Sequence, residues 1–443
     1  MIKIVFALFL ALAFFHSVFN QTLDKSRLDQ LFDRLAEKNK AMGTLTVARD
    51  GNILYTRSVG HSLINGTEKK AASATTRYRV GSVTKMFTAT MVFQLIEEGK
   101  LKLTDTLDKF FSQIPNAQKI TIAHLLAHRG GVRDLTRHPD FRSWKPIAKT
   151  QDEMLEIIAK GTPDFEPGEK YAYSNSGYVL LGYIVERAGG KPYGEALKQR
   201  ITSKIGLKDT YLGTGNTDPA KNESISYRHT RNWEAFPETH LSIPGGGGAI
   251  ISTSADLTRF IDALFNHKLV SKTSLDQMKT IKDGYGYGVE AIPLGGKTLL
   301  GHTGRIDDFS SILAYLPEEK LAISYTSNGV IYPVANIAGG VFEIAQNKPF
   351  EIPPFATVAV SPEVLEKYVG NYSTAQAPMK LTVTRDNAVL LVQPNGQSAL
   401  PLEAMAQDKF QVESAGVVLE FDAAKNQMTF KQRGRELVFT KEN

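Results

Sequence analysis

The spacing of apolar positions changes several times along the chain, and each spacing predicts a different element. Leucine and phenylalanine recur every three or four positions in residues 26–40, which predicts an amphipathic helix. Residues 44–59 alternate apolar and polar side chains around the turn signal Asp50-Gly51, which predicts a β-hairpin. Residues 86–96 are apolar on nearly every face, so we expect a helix that is buried on all sides and stops near Gly99.

Helices and strands continue to alternate as far as residue 346. Helical spacing predicts helices over residues 120–127, 152–158, 178–188, 254–265 and 334–346, and Ser254 is expected to cap the fourth of these. Residues 298–304 predict the end of a strand, and residues 309–315 and 321–326 predict a second hairpin. Because strands lie at both ends with helices between them, we expect one antiparallel sheet flanked by helices, with an inserted helical lobe.

The pattern changes again after a proline-rich stretch at residues 348–361, which we interpret as a linker. Beyond it, apolar residues alternate with polar ones in short runs separated by turn signals such as Asn395-Gly396 and Arg433-Gly434. This pattern predicts a small antiparallel barrel or sandwich of about eight strands over residues 362–443. The predicted fold class is therefore α+β, an α/β sandwich over residues 22–347 followed by a small β-barrel.

Composition and charge narrow the class of protein. The chain has 443 residues, a formal net charge of +6 and no cysteine, which excludes disulfides, a cysteine nucleophile and thiolate metal sites. The basic residues form no block, so nucleic acid is not expected as a partner. Residues 1–20 carry one early lysine and then an apolar run too short for a membrane span, which predicts a signal peptide and an exported protein, periplasmic or secreted. An uncleaved N-terminal anchor is the alternative.

The start of the buried helix carries the first candidate chemistry. Ser82 and Lys85 are three residues apart, so they share one face of a helix, about 4.5 Å apart along its axis. A serine hydroxyl is a weak nucleophile until a neighbouring base takes its proton, and a lysine that has lost its water shell can be that base. Taken alone, this spacing also fits a surface serine and lysine, so it needs support from elsewhere in the chain.

Two further motifs supply that support. Tyr173-Ser174-Asn175 and His302-Thr303-Gly304 follow Ser82-Val83-Thr84-Lys85 in the order of the three motifs of penicillin-binding proteins and serine β-lactamases. With a Tyr-x-Asn motif in the middle, the chain more closely resembles class C β-lactamases and the related serine DD-peptidases and esterases. The resemblance covers residues 26–347, and residues 362–443 resemble the lipocalin-like domains that follow some hydrolases of this family.

The resemblance implies roles for residues around the nucleophile. Ser82 would form the acyl-enzyme, and Lys85 and Tyr173 would share proton transfer, with either one as the general base. Asn175 would bind the substrate's amide side chain and help to position Lys85. The resemblance implies no metal and no organic cofactor, and a peptide or other small molecule as the substrate.

The third motif has a different kind of role. By the same resemblance His302, Thr303 and Gly304 would lie on a strand edge beside the site, and the backbone N–H groups of Ser82 and Arg305 would form the oxyanion hole. The chain departs from many β-lactamases at His302, where they carry a lysine, so a fixed positive charge is not assured. Arg305 also replaces the small or hydroxylated residue expected there. Its side chain would either bind a carboxylate or lie on the surface.

Simpler interpretations stay open for several of these residues. Tyr173 would otherwise be a packed core tyrosine, and Asn175 a residue that caps a turn. His128 is interpreted as a buried, hydrogen-bonded residue, and the glycine-rich loop 244–248 as one wall of the cleft. Tyr285 and Tyr287 fit either the cleft or the core.

These observations lead to three hypotheses about function. The first is an exported serine hydrolase of the DD-carboxypeptidase, D-amino-acid peptidase or esterase type. The second is a class C-like β-lactamase. The third belongs to another class, a penicillin-binding or wall-peptide-binding sensor that is occupied or acylated without turnover. The oligomeric state is not predicted.

Overall fold

The structure is a computed structural model, and it describes residues 22–229, 232–355, 358–397, 399–432 and 434–442. The predicted signal peptide lies outside the described residues. Within the described residues, no helix has the length and apolar character needed to cross a bilayer.

The seven helices that the sequence predicts lie within about three residues of their predicted bounds. In chain order the helices are α1 Lys25–Glu37, α2 Thr84–Glu97, α3 Asp108–Phe111, α4 Ile122–Leu126, α5 Phe141–Trp144, α6 Gln151–Ala159, α7 Asn175–Gly189, α8 Tyr193–Leu197, α9 Ser203–Ile205, α10 Ser254–Phe265, α11 Lys272–Met278, α12 Val334–Ala345 and α13 Pro362–Glu366. The short helices α3, α5, α8, α9, α11 and α13 were not predicted. The predicted cap of α10 is wrong. The Thr253 side chain accepts a hydrogen bond from the Asp256 N–H, whereas the Ser254 hydroxyl donates to the Ser324 carbonyl at 2.7 Å.

The strands fall into one large sheet, three small ones and a barrel. In chain order they are β1 Ala41–Arg49, β2 Asn52–Val59, β3 His61–Asn65, β4 Glu68–Ala71, β5 Tyr78–Arg79, β6 Tyr211–Leu212, β7 Tyr227–His229, β8 Trp233–Ala235, β9 Ile250–Ser252, β10 Glu290–Leu294, β11 Lys297–Ile306, β12 Phe309–Leu316, β13 Leu321–Val330, β14 Gly370–Ser373, β15 Lys380–Asp386, β16 Val389–Pro394, β17 Leu400–Ala404, β18 Lys409–Val412, β19 Val417–Asp422, β20 Gln427–Gln432 and β21 Arg435–Lys441.

The large sheet joins the two ends of the region from α1 to α12, which we call the sheet body. Its strand order is β10-β11-β12-β13-β1-β2, and each neighbouring pair is antiparallel. The central strands β1 and β13 are buried along almost their whole length because helices cover both faces of the sheet. This arrangement confirms the predicted antiparallel sheet flanked by helices.

Each face of the sheet has its own core. On one face, leucines and a phenylalanine of α1 pack with Ile337, Val341 and Phe342 of α12 against inward side chains of the strands. On the other face, α2 and α10 pack against the sheet, and the rings of Phe87 and Phe260 stack with centroids 3.7 Å apart. The remaining helices continue this second core away from the sheet and form the predicted helical lobe.

The eight C-terminal strands, β14 to β21, form a closed antiparallel barrel with its own apolar core. The strand β14 pairs with β21 and closes it, and α13 packs Leu365 into the core. A closed barrel, rather than a sandwich, is therefore the correct alternative. The boundaries of the predicted domains, residues 22–347, 348–361 and 362–443, stay predictions.

Candidate active site

Ser82 lies in a tight turn between a strand and the buried helix. The chain leaves β5 at Arg79, makes a 3-10 turn over Gly81–Val83 and enters α2 at Thr84. Gly81 has a φ of +51°, and a Cβ there would lie 2.8 Å from the backbone nitrogen of Arg305. Only glycine allows this approach, so the turn holds Ser82 close to the strand β11.

Lys85 meets Ser82 as its spacing predicts. Its Nζ donates to Ser82 Oγ at 3.0 Å, to Asn175 Oδ1 at 2.8 Å and to the Gly247 carbonyl oxygen at 2.8 Å. The side chain is fully buried. Burial lowers the pKa of Lys85 to about 7, against the opposing influence of Asp134 and Glu290. Near neutral pH a substantial fraction of this amine is therefore unprotonated and able to accept a proton.

Asn175 is the first residue of α7, three residues earlier than the predicted start of that helix. Its side-chain amide donates to Asp134 Oδ2 at 2.9 Å, and its backbone N–H donates to the same oxygen at 3.1 Å. The other oxygen of Asp134 accepts from the N–H and the hydroxyl of Thr136, both at 2.8 Å. Asp134 thus fixes the amide that holds Lys85.

Sequence reasoning missed Asp134. It lies 41 positions before Asn175, in a stretch that looks like an ordinary polar loop, and no local spacing connects the two residues. The signal that was present is its position shortly after the Leu125-Leu126-Ala127-His128 stretch, which the family resemblance includes.

Tyr173 stands over the lysine. Lys85 Nζ lies 4.9 Å from the centroid of the Tyr173 ring, and the ring of His128 packs beside it with centroids 4.1 Å apart. Although the residue keeps 36% of its surface exposed, loss of water around the phenol raises the pKa of Tyr173 above its ordinary value, and the Ser82 side chain only partly opposes this. Tyr173 is therefore a protonated phenol at neutral pH.

His128 is buried and hydrogen-bonded, as its interpretation from the sequence expects. Its Nδ1 accepts from the Ser174 N–H at 3.2 Å, and its pKa is well below the ordinary value, first because of burial and then because of Lys85 and His302. Tyr285 lies against the same ring with centroids 4.6 Å apart, so it belongs to the wall of the site. Tyr287 instead packs near Phe93, with ring centroids 5.9 Å apart.

His302 is held as a neutral ring in β11. Its Nδ1 makes a short contact with the Thr303 carbonyl oxygen, which requires Nδ1–H to donate, so Nε2 accepts from the Tyr285 hydroxyl at 2.9 Å. Burial lowers the pKa of His302 to about 4, although Glu290 opposes the shift. The third motif therefore carries no positive charge at neutral pH.

The edge of β11 beyond His302 faces the site. The strand β10 pairs only with Lys297 to Gly301 of β11, and Glu290 Oε2 accepts from the Thr303 N–H at 2.9 Å and from its hydroxyl at 2.8 Å. Backbone groups alternate in direction along a strand, so the Arg305 N–H points to the same side as that of Thr303, where Gly81 and Ser82 lie. Gly81, the residue before Ser82, lies against the Arg305 backbone here, and an oxyanion hole formed by the Ser82 and Arg305 N–H groups stays a prediction.

Gly304 allows the strand to pack this closely. A Cβ at this position would lie 2.1 Å from the Val80 carbonyl oxygen and 2.3 Å from Ser311 Oγ. The Arg305 and Thr303 side chains on either side of it are exposed.

All three motifs therefore meet in one place, with the rings of Tyr173 and His302 only 6.4 Å apart. The Beta-lactamase family model matches residues 28–341, which is well over half of the chain. The chain belongs to the beta-lactamase family.

Two curated proteins show which members this beta-lactamase family protein is similar to. It is 28% identical over 455 residues to penicillin-binding protein 4* of Bacillus subtilis (strain 168), covering 93% of this chain and 98% of that protein. It is 24% identical over 359 residues to the D-alanyl-D-alanine-carboxypeptidase/endopeptidase AmpH of Escherichia coli (strain K12), covering 74% of this chain and 91% of AmpH.

A solved structure supports the fold of most of this beta-lactamase family chain. The octameric penicillin-binding protein homologue from Pyrococcus abyssi superposes with a TM-score of 0.65 at 25% identity, covering 94% of this chain and all of that chain. The match extends beyond the sheet body, so it includes the region of the C-terminal barrel.

A small cleft opens at Ser82 of this family member. Its volume is about 190 Å³, and its lining includes Ser82, Asn175 and Arg305 together with apolar Leu135, Phe141 and Ile243. Pro244, Gly247 and Gly248 form one side of it, as the sequence predicts for the glycine-rich loop. Within the described ranges, no group of three or more His, Asp or Glu side chains is placed to hold a metal ion.

Proposed function

We propose that this serine hydrolase forms an acyl-enzyme on Ser82 and acts as a DD-carboxypeptidase or D-amino-acid peptidase, with simple esters as additional substrates. The observation that carries the proposal is the 3.0 Å hydrogen bond between Ser82 Oγ and the buried amine of Lys85, whose pKa is about 7. A nucleophile and a base in contact, both beside a pair of backbone N–H groups, are what acyl transfer needs.

In the proposed acylation, neutral Lys85 takes the proton from Ser82 as Oγ attacks the substrate carbonyl. The N–H groups of Ser82 and Arg305 receive the oxyanion that forms. As the C–N or C–O bond breaks, the Tyr173 phenol gives its proton to the leaving amine or alkoxide. It then regains a proton from the Lys85 ammonium, so both side chains return to their starting protonation states. The raised pKa keeps the Tyr173 phenol protonated at neutral pH, so its proton is present when the leaving group departs, and the phenolate that forms readily takes a proton from the Lys85 ammonium, whose pKa is lowered.

The cycle closes when water attacks the acyl carbonyl. The attacking water gives a proton to the lysine–tyrosine pair, the second tetrahedral intermediate collapses, and Ser82 leaves with a proton from the same pair. Asn175 acts through its hydrogen bond to Lys85 Nζ at 2.8 Å and keeps the amine directed at Ser82.

Two observations support a D-amino-acid peptide as the preferred substrate. AmpH, to which the chain is 24% identical, carries D-alanyl-D-alanine-carboxypeptidase in its name. The neutral His302 also leaves the third motif without the fixed cation that many β-lactamases place there. A carboxylate of the substrate would then bind to Arg305, which is exposed beside the cleft.

A fluorophosphonate probe and a substrate panel test the proposal. The wild type should be labelled, Ser82→Ala should lose labelling and at least about a thousandfold in turnover, and the exposed Ser203→Ala should match the wild type. The panel is nitrocefin, a D-Ala-D-Ala peptide, a D-amino-acid amide and p-nitrophenyl acetate.

We expect turnover of the peptide or the amide, and of the ester. Turnover of nitrocefin alone would favour a β-lactamase, and labelling without turnover of any substrate would favour a sensor. Labelling that persists in Ser82→Ala would contradict the nucleophile.

The proposal includes export, because the substrate class belongs to the cell wall and residues 1–20 have the pattern of a signal peptide. Fractionation of cells that express the full chain should place it outside the cytoplasm. Recovery of all activity in the cytoplasmic fraction would contradict this part of the proposal.

A further inference from the structure

A second and larger cavity, which we call the interdomain cavity, lies between the barrel and the sheet body. Its volume is about 920 Å³, compared with about 190 Å³ for the cleft at Ser82. From the barrel it is lined by Leu390, Leu402, Phe410 and Val412, which belong to the barrel core. One end of the barrel therefore opens toward the sheet body, and the cavity is of the size and apolar character of small-molecule sites.

Several segments of the sheet body close the cavity. Tyr227 and His229 of β7 line it, and so do Val330 and Ile331 at the end of β13. Trp233 of β8 packs against His229, with ring centroids 4.9 Å apart. One of the two tryptophans of the chain therefore adjoins the wall of this cavity.

Some charged side chains in the cavity lining form ion pairs, and two arginines do not. Arg228 pairs with Asp308 at 3.1 Å. The carboxylates of Glu403 and Glu413 both bind Lys40, at 2.6 and 2.8 Å. The other two cations of the lining, Arg142 and Arg305, pair with no carboxylate in the part of the chain that the structure describes.

Arg305 connects this cavity with the site of the reaction. It lines the interdomain cavity and the cleft at Ser82, and its backbone adjoins Gly81, the residue before Ser82. Its side chain is exposed, so it is available to a ligand from either side. An anion held by this guanidinium would stand between Ser82 and the apolar end of the barrel.

We propose that the interdomain cavity binds a carboxylate joined to an apolar group. The carboxylate pairs with Arg305 and Arg142, and the apolar group lies among the barrel side chains around Leu402 and Phe410. The same chemistry is found in the distal part of a substrate acylated on Ser82 and in a separate anionic amphiphile. Only the first of these sources rests on the proposed function.

Binding is tested in Ser82→Ala, which removes turnover, by tryptophan fluorescence with dodecanoate and with uncharged dodecan-1-ol. Dodecanoate should bind at least about tenfold more tightly, a factor within the range of one charge-assisted hydrogen bond. Adding Arg305→Gln and Arg142→Gln together keeps the backbone N–H groups and should remove the preference, whereas adding Arg435→Gln, which changes an exposed arginine of β21 outside both cavities, should preserve it.

A second variant guards against an uninformative loss of folding. Ala359 is exposed and lines the cavity, so Ala359→Phe narrows it without disturbing a core and should weaken both ligands. Equal affinity for the acid and the alcohol in Ser82→Ala, or a preference that survives the loss of both Arg305 and Arg142, would overturn the proposal. The binding result does not require hydrolysis, so it stands apart from any failure of the proposed function.

Kinetics with the wild type separate the two sources. If the cavity receives the distal part of the substrate, dodecanoate competes with p-nitrophenyl dodecanoate and not with p-nitrophenyl acetate, which is too short to reach the cavity. If the ligand is a separate amphiphile, dodecanoate changes kcat for both esters without competing. No effect on either ester, despite binding, would contradict the connection through Arg305.

Discussion

The chemistry of Lys85 follows from its surroundings more than from its sequence position. The amine is fully buried and donates to three oxygens, yet burial still brings its pKa down to about 7. The nearest carboxylates act from a distance and only partly restore the proton. A group in this state is a base near neutral pH, and it also makes stability depend on pH.

Lys85→Met should change that dependence. Between pH 7 and pH 10.5 the unfolded chain binds a proton at Lys85 that the folded protein has released, so the free energy of unfolding of the wild type should rise with pH relative to the variant. The slope is at most about 1.4 kcal/mol per pH unit. Urea unfolding of both proteins from pH 6 to 10 measures it, and a constant difference would show that Lys85 keeps an ordinary pKa.

Asp134 is the residue whose effect on the reaction is least visible in the sequence. Because its Oδ2 accepts two hydrogen bonds from Asn175, Asp134→Asn should loosen the amide that orients Lys85. We expect kcat to fall about 10- to 100-fold, the equivalent of one hydrogen bond to a charged group, with little change in KM. Steady-state kinetics with p-nitrophenyl acetate measure kcat and KM separately, and a change in KM alone would assign Asp134 to substrate binding.

At the scale of elements, the site is a junction between the 3-10 turn before α2 and the strand β11. The two approach so closely that Gly81 and Gly304 face backbone atoms of the other element. The sequence predicts both elements from local spacing, but their contact depends on the sheet order that places β11 near the start of α2.

Gly304→Ala should separate the two elements. The added methyl would meet the Val80 carbonyl oxygen at 2.1 Å, so we expect a loss of about 1–3 kcal/mol in stability and a lower kcat as the Arg305 N–H moves away from Ser82. Gly339→Ala is the matched control, since it lies in α12 with no atom within 4 Å of the new methyl. Thermal unfolding and ester turnover of both variants test this prediction. Equal stability and equal kcat in the two variants would mean that the turn and β11 are not closely packed.

At the scale of the whole molecule, one buried lysine ties the barrel to the sheet body. Lys40, just before β1, is 3% exposed and binds Glu403 of β17 and Glu413 after β18. Val358 N–H also donates to the Ala404 carbonyl oxygen at 3.0 Å. These contacts hold the open end of the barrel against the sheet body, around the interdomain cavity.

Lys40→Met should therefore weaken the docking of the barrel. Two partly buried carboxylates would lose their shared cation, at a cost of about 3 kcal/mol, and unfolding should split into separate transitions of the barrel and the sheet body. Lys425→Met removes an exposed ion pair with Asp422 within the barrel and should leave one transition. Calorimetry of the three proteins measures this, and a single unshifted transition in Lys40→Met would contradict a docking role for the lysine.

The sequence alone determined the features that depend on local spacing. The three-residue interval of Ser82 and Lys85, the hairpin at Asp50-Gly51, the antiparallel sheet and about eight short C-terminal strands were all predictable, because side chains close in sequence share a face of a helix or strand. Whether those strands close into a barrel or form a sandwich was decided by the structure. The incorrect prediction of Ser254 as the cap of α10 shows where local spacing stops being informative. Thr253 was an equally good candidate for the cap, and the Ser254 hydroxyl donates instead to the Ser324 carbonyl of β13.

Only the tertiary structure decided the features that join distant segments. Asp134 with Asn175, Tyr285 with His302, and Lys40 with Glu403 and Glu413 are contacts that no local pattern announces. The charge states of Lys85 and His302 were also decided only by the tertiary structure. The pKa of each side chain depends on the water that folding removes from it and on the charges that folding brings near it.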